Sequence, residues 1–203
     1  IAGEASTIYL YSKVAAGEIH SFNSNAKIIM MLREPVSFLY SYYVFFSTMG
    51  RENANSFQKA IELEPQRKKW QNIPPANPHP GFLFYSERAK YSEQIQRYFK
   101  IFKRSQIRII IFEDFRKNNR GVFTDVCKFL DIDPDFQPNF EDVNVKRLSL
   151  FPAFGYWFFN SRLKRLITKL TPGFLYRKLV PLGKSVLWKE GKPEPLDPDL
   201  RHK

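Results

Sequence analysis

The sequence predicts an α/β fold with a parallel sheet, and three observations predict it. Residues 26–32 (AKIIMML) form a short continuous apolar run, the pattern of a strand buried on both faces. Residues 107–112 (IRIIIF) form a second. Each run is followed by a segment whose apolar residues recur at helical spacing, and strands alternating with helices build parallel sheets.

The elements follow in order. Arg33-Glu34-Pro35 stops the first run, and Pro35 suits the first position of a helix, where its missing N–H is no loss. Phe38, Tyr42, Phe45, Phe46 and Met49 then fall on one helical face. Gly50 is placed to end that helix. Residues 56–63 predict a short helix with Ser56 as N-cap. Residues 65–81 are rich in Pro and Asn, contain the basic cluster Arg67, Lys68 and Lys69, and predict a long loop of the kind often used for function. Tyr91, Ile95, Tyr98, Phe99 and Phe102 mark an amphipathic helix ahead of the second strand, and Val122, Phe123, Val126, Phe129 and Leu130 mark another after it.

Beyond Pro138 the character changes. Residues 154–182 interleave aromatic and basic side chains and predict helices broken at Pro172 and Pro181. The whole reads as one domain, with an α/β part over 1–138 and a basic, aromatic, mainly helical part over 139–203. The latter is suited to pack on the sheet edge, to close over a substrate as a lid, or to make peripheral contact with a membrane surface.

Composition narrows the function. Hydrophobic residues make up 43% of the 203 and charged residues 26%, which excludes a disordered chain. The 20 Phe and 10 Tyr point to an aromatic-rich core or site. A single cysteine, Cys127, excludes an intramolecular disulfide and a cysteine-based metal cluster; it lies one position off the apolar face of its helix and reads as packing. His20, His79 and His202 are far apart without ligand spacing, so no metal is expected; His20 and His79 fall in expected loops. The longest uncharged run, 35–50, falls short of the roughly 20 apolar residues of a membrane span, and no signal peptide is expected. A lone cysteine fits a reducing cytoplasm. The chain opens on Ile1 and ends in PLDPDLRHK, which reads as an excerpt of a longer protein.

The formal net charge is +12, unevenly placed: residues 146–203 hold 13 basic and 4 acidic side chains, and residues 1–145 hold 19 and 16. A basic C-terminal quarter suits an anionic partner such as a nucleotide, a sulfated or uronic sugar, nucleic acid or a membrane surface; a solubilising surface fits the same count.

The main constellation is a strand, then Arg33, Pro35 and Ser41. Ligands of open parallel sheets bind outside the carboxyl ends of the strands, where Arg33 sits. A guanidinium grips phosphate bidentately. Ser41, about two helical turns on, shares a face with Ser37, so a hydroxyl and a guanidinium can meet one anion. A surface arginine and a solvent-facing serine fit the same spacing. Gly183-Lys184-Ser185 resembles the tail of a phosphate-binding loop, but its first glycine would fall at Lys178 and no strand precedes it.

The stretch Lys27-Ile28-Ile29-Met30-Met31-Leu32-Arg33-Glu34-Pro35-Val36, ending in Ser41-Tyr42-Tyr43, resembles the 3′-phosphate-binding motif of the sulfotransferases: a strand, Leu-Arg-x-Pro, and a serine eight residues after the arginine. Gly3-Glu4-Ala5-Ser6 with Tyr9-Leu10 is similar to the segment before that strand. Tyr91 with Gln94 and Tyr98 is similar to the helix before the next one. Ile109-Ile110-Ile111-Phe112-Glu113-Asp114-Phe115, with Phe129-Leu130, is similar to the strand, Glu-Asp turn and helix beyond. The likeness runs through residues 3–147 in order. It departs at Phe38, where many members have a basic residue, and at Thr7, where proline is frequent.

This resemblance implies a P-loop-NTPase-like three-layer α/β fold, with a central parallel sheet flanked by helices and a helical C-terminal segment. It implies PAPS (3′-phosphoadenosine-5′-phosphosulfate) as sulfuryl donor, PAP as product and no metal. Arg33 and Ser41 would hold the 3′-phosphate and Tyr91 would line the nucleotide pocket. Lys146 and Arg147, with Asn144, match a region where such enzymes close a basic loop over that phosphate. Glu113 and Asp114 are expected in turn and capping roles. The loop for the 5′-phosphosulfate and the catalytic base are expected upstream of residue 1. Tyr156, Trp157 and Phe158, among basic residues, suit a carbohydrate or glycolipid acceptor; nucleic acid is not expected. Two other readings stay open: a non-catalytic basic module for membranes or anionic polymers, and a P-loop-type nucleotide phosphotransferase.

Overall fold

The computed structural model describes residues 2–77 and 79–140, and the backbone of two further short strands. In chain order the elements are α1 (Ala15–Phe22), β1 (Ile28–Leu32), α2 (Pro35–Thr48), α3 (Phe57–Glu62), α4 (Glu64–Arg67), a 3₁₀ turn (Pro80–Leu83), α5 (Tyr85–Ala89), α6 (Tyr91–Phe99), a second 3₁₀ turn (Arg104–Gln106), β2 (Ile107–Ile111), α7 (Phe112–Lys117), α8 (Asn119–Leu130), β3 (Arg147–Ser149) and β4 (Trp188–Glu190). The chain divides into two units, Ile1–Pro35 with Arg88–Glu141 and Val36–Glu87 with Asp142–Lys203.

The first unit holds the sheet. The apolar runs pair in parallel, from Ile28 beside Ile107 to Leu32 beside Ile111, and the α/β expectation holds. Ala16 of α1, Met30, Tyr98 of α6, Phe102 and Ile107 form its buried core, with Leu10, Ile19, Ala26, Ile28, Ile95 and Ile109 around it. Arg97 pins the N-terminal segment by donating to the Leu10 and Tyr11 carbonyls at 3.0 and 3.1 Å, and the Tyr98 hydroxyl donates to the Tyr9 carbonyl at 3.0 Å. α7 and α8 pack against β2.

Two expectations change here. The strands are not buried on both faces: Ile29 and Met31 are 41% and 49% exposed, because the core helices cover the side of Met30 and leave the alternate side of β1 open among the described residues. His20 is not in a loop. It lies in the last turn of α1, its ring edge-on to Phe102 at 5.4 Å. Cys127 is 1% exposed, as packing requires.

Over residues 36–87 the second unit is helical and built on aromatics. Pro35 opens α2 as expected. Gly50 ends it in the left-handed conformation (φ 65°), with the Arg51 N–H reaching the Phe46 carbonyl at 2.9 Å. The buried face of α2 differs from the expected one. Leu39 and Phe46 are buried, whereas Phe45 and Met49 are 51% and 40% exposed. The stripe is rotated by about one residue because Tyr42 and Phe46 stack at 4.6 Å and turn toward Tyr85, which lies 6.0 Å from Tyr42. Ser56 caps α3, accepting from the Lys59 N–H at 3.1 Å.

The stretch expected as a loop over 65–81 differs too. It begins inside α4 and ends in a 3₁₀ turn. Arg67 is no part of a solvated basic cluster: it is fully buried against Glu52. β3 and β4 pair antiparallel, Arg147 opposite Glu190 and Ser149 opposite Trp188. The helices expected over 154–182 lie outside the described residues. Among the described residues no helix is long and apolar enough to cross a membrane.

Candidate functional site

The carboxyl ends of the two parallel strands define the candidate site of the first unit. Leu32 ends β1 and Arg33 follows it, half-buried. Ile111 ends β2 and Phe112 follows as the first residue of α7. The strands are in register at Leu32 and Ile111, so the next residues on both emerge together. The Arg33 guanidinium accordingly lies over the Phe112 ring, 5.4 Å from its centroid. Cation and ring attract at this distance, and a guanidinium is the group whose planar fork matches phosphate bidentately.

The turn beneath Arg33 is tied from two directions. The Glu34 N–H donates to Glu113 Oε1 at 3.3 Å, joining the start of α7 to the β1–α2 turn. Tyr91, at the start of α6, has its phenol pushed up to about 12. Burial is the main cause; the carboxylates of Glu34 and Glu113 push the same way, while a backbone hydrogen bond from Arg33 and its positive charge pull against them. Tyr91 is thus a neutral phenol at physiological pH, held against the backbone of Arg33.

Of the residues singled out in the sequence, Arg33 and Tyr91 come together at this strand end. Ser41 lies half-buried on α2, in the second unit. Arg147 opens β3, and Lys146, Asn144, Tyr156, Trp157 and Phe158 lie outside the described residues. Glu113 and Asp114 occupy the first turn of α7, which has no side-chain cap at its N-cap, Ile111. The partner of Glu113 is the N–H of Glu34, distant in sequence, a contact no local pattern signals. Phe112 reads as the last residue of a strand; only the paired register reveals it as the platform under Arg33.

A strand-end arginine over an aromatic ring, at the carboxyl end of a parallel sheet, is an arrangement of an α/β protein able to hold an anion. Residues 13–163 match the sulfotransferase domain family, and the chain belongs to it. It is 26% identical over 134 residues to carbohydrate sulfotransferase 15 of Homo sapiens, a match covering 57% of this chain and 22% of that protein. Among solved structures it resembles a sulfotransferase from Alicyclobacillus acidocaldarius, with a TM-score of 0.60 and 31% identity, covering 70% of this chain and 55% of that one. The chain therefore spans about a fifth of the human relative and about half of the bacterial structure.

Proposed function

We propose that this chain forms the 3′-phosphate end of a PAPS-dependent sulfotransferase acting on a hydroxyl or amine of a carbohydrate. The observation that carries the reading is the position of Arg33: directly after β1, stacked on Phe112 and followed by Pro35 of α2, inside the segment that matches the sulfotransferase domain. Arg33 would accept the charge of the 3′-phosphate and Ser41 would donate to it. Lys146 and Arg147 would add positive charge, and Tyr91 would shape the pocket wall from behind the arginine backbone. The carbohydrate acceptor is supported by the name of the human relative and by the interleaved aromatic and basic residues over 154–182.

The reaction moves a sulfuryl group in line. The bond from sulfur to the donor phosphate oxygen breaks, a bond from sulfur to the acceptor oxygen or nitrogen forms, the acceptor's O–H or N–H proton passes to a general base, and PAP leaves with the released negative charge. Such transfers depend on positioning and on cations placed where that charge develops. Arg33 contributes by fixing the nucleotide, so its removal acts on binding first.

Calorimetric titration with PAP, using 5′-AMP as control, tests this directly. The expected result is binding that requires the 3′-phosphate and is abolished by Arg33→Ala. Equal affinity for PAP and 5′-AMP, or an Arg33→Ala variant that binds PAP like wild type, would overturn the assignment.

A further inference from the structure

Trp70 stands where a glycine would be expected. α4 ends in a Schellman turn: the Trp70 N–H reaches the Arg67 carbonyl at 3.0 Å and the Gln71 N–H reaches the Gln66 carbonyl at 3.1 Å. Trp70 takes the left-handed position of that turn, with φ 63°. Glycine adopts this conformation without penalty, whereas a bulky side chain there is a genuine outlier. The indole gains no burial in return, since Trp70 is 74% exposed. Backbone strain and an aromatic ring left in water are two unfavourable features at one residue.

The surroundings hold the turn in this state. Arg67, fully buried, donates through Nε to the Asn72 carbonyl at 3.4 Å, and Asn72 Nδ2 donates to Gln66 Oε1. Both flanks of Trp70 are therefore tied to the buried network of the second unit. Strain over-determined by its neighbours in this way marks sites where a side chain is presented rather than packed.

We propose that Trp70 is a stacking platform for a sugar ring of an acidic carbohydrate, an inference that deepens the carbohydrate-acceptor reading above and rests on it. A solvent-facing indole on a backbone tied at both flanks offers the flat apolar surface that matches the C–H face of a pyranose, with only two side-chain torsions to order on binding. The neighbouring exposed side chains are polar: Gln66, Lys69, Gln71 and Asn72. Lys68 is engaged by Glu64 and Glu87 at 2.9 and 3.0 Å, so the charge offered beside the ring is that of Lys69, suited to a sugar carboxylate. A membrane surface would call for several apolar side chains around the indole, and this turn presents one.

The test compares wild type with Trp70→Gly, Trp70→Phe and Lys69→Ala. The probes are an unsulfated glucuronate-containing hexasaccharide, a neutral N-acetylglucosamine hexamer, and vesicles containing phosphatidylserine. Trp70→Gly is expected to weaken hexasaccharide binding at least about tenfold, the loss typical of truncating a central aromatic anchor. The same variant is expected to melt about 2–4 °C higher, because glycine relieves the left-handed strain. Trp70→Phe retains part of the binding, and Lys69→Ala weakens the acidic probe more than the neutral one. The proposal is overturned if Trp70→Gly binds the hexasaccharide like wild type or melts lower, if wild type binds neither sugar, or if Trp70 is needed for vesicles and not for sugars. PAP titration of the same samples separates the two readings. Wild type that binds PAP but no hexasaccharide defeats this inference alone, and wild type that does not bind PAP defeats the donor assignment.

Discussion

Replacing Arg67 by methionine should cost about 3–5 kcal/mol, a large share of the 5–15 kcal/mol that holds a typical domain folded. The side chains of Arg67 and Glu52 are both fully buried. The guanidinium donates through Nη1 to Glu52 Oε2 at 2.9 Å and through Nη2 to Oε1, and it also reaches Asn53 Oδ1 at 3.0 Å and the Ala60 carbonyl at 3.3 Å. Methionine keeps an unbranched stem in the same space and removes every donor. Glu52 would keep the Tyr85 hydroxyl at 2.6 Å and the N–H groups of Asn53 and Ala54 at 2.8 Å, which solvate the carboxylate but do not cancel its charge. The assay is equilibrium urea unfolding followed by circular dichroism, with the loss read as a lower midpoint at unchanged slope. The double variant Glu52→Gln/Arg67→Met should recover part of it, since two neutral groups no longer leave a buried ion alone. An Arg67→Met protein within about 1 kcal/mol of wild type would refute the claim that this ion pair anchors the second unit.

Three further outcomes follow from other features. Gly50→Ala should destabilise by about 1 kcal/mol, lowering the melting temperature by about 2–4 °C, because φ at Gly50 is 65° and a Cβ is strained there. Ser56→Ala should cost about 1 kcal/mol through loss of the N-cap bond to Lys59, read in the same urea titration. Tyr91 ionises near 12 when folded, against an ordinary value of 10.0, so its contribution is whole below pH 10 and is lost as pH rises toward 12. Tyr91→Phe should therefore lose less stability than wild type over that window, and tyrosinate absorbance should show one late-titrating phenol fewer.

The parts of this fold legible in the sequence are those set by local chemistry. Pro35 opens α2, Gly50 ends it and Ser56 caps α3 where expected, because backbone geometry and a missing N–H act within a few residues. The two apolar runs found each other because continuous Ile and Met at strand length has few other uses. Burial was less legible. The buried face of α2 is hard to read because its aromatic content leaves apolar side chains on nearly every side, and the choice among them falls to Tyr85. Arg67 falls in one basic run with Lys68 and Lys69, and charge pattern alone does not distinguish a solvated cation from one paired across the chain, here to Glu52. At the candidate site the arginine was legible and its supports were not. Phe112 and Glu113 become neighbours of Arg33 and Glu34 only through the parallel register of β1 and β2.

That register explains why the arginine is useful as well as present. A long, cationic side chain at the end of a strand has ample rotamer freedom, and ordering it on a ligand costs roughly 1.5–2 kcal/mol. Stacking on Phe112 reduces that freedom before any anion arrives. Glu113 holds the following N–H and Tyr91 lies against the Arg33 backbone, so the base of the side chain is positioned by α6 and α7 while its tip is positioned by the ring. The carboxylates of Glu34 and Glu113 oppose the approach of an anion, and their effect is bounded by the same geometry: one oxygen of Glu113 is already engaged by a backbone N–H, and Glu34 is exposed to screening solvent. The strand end therefore combines a cation oriented by Phe112 with a Glu113 carboxylate already engaged in the turn beneath it.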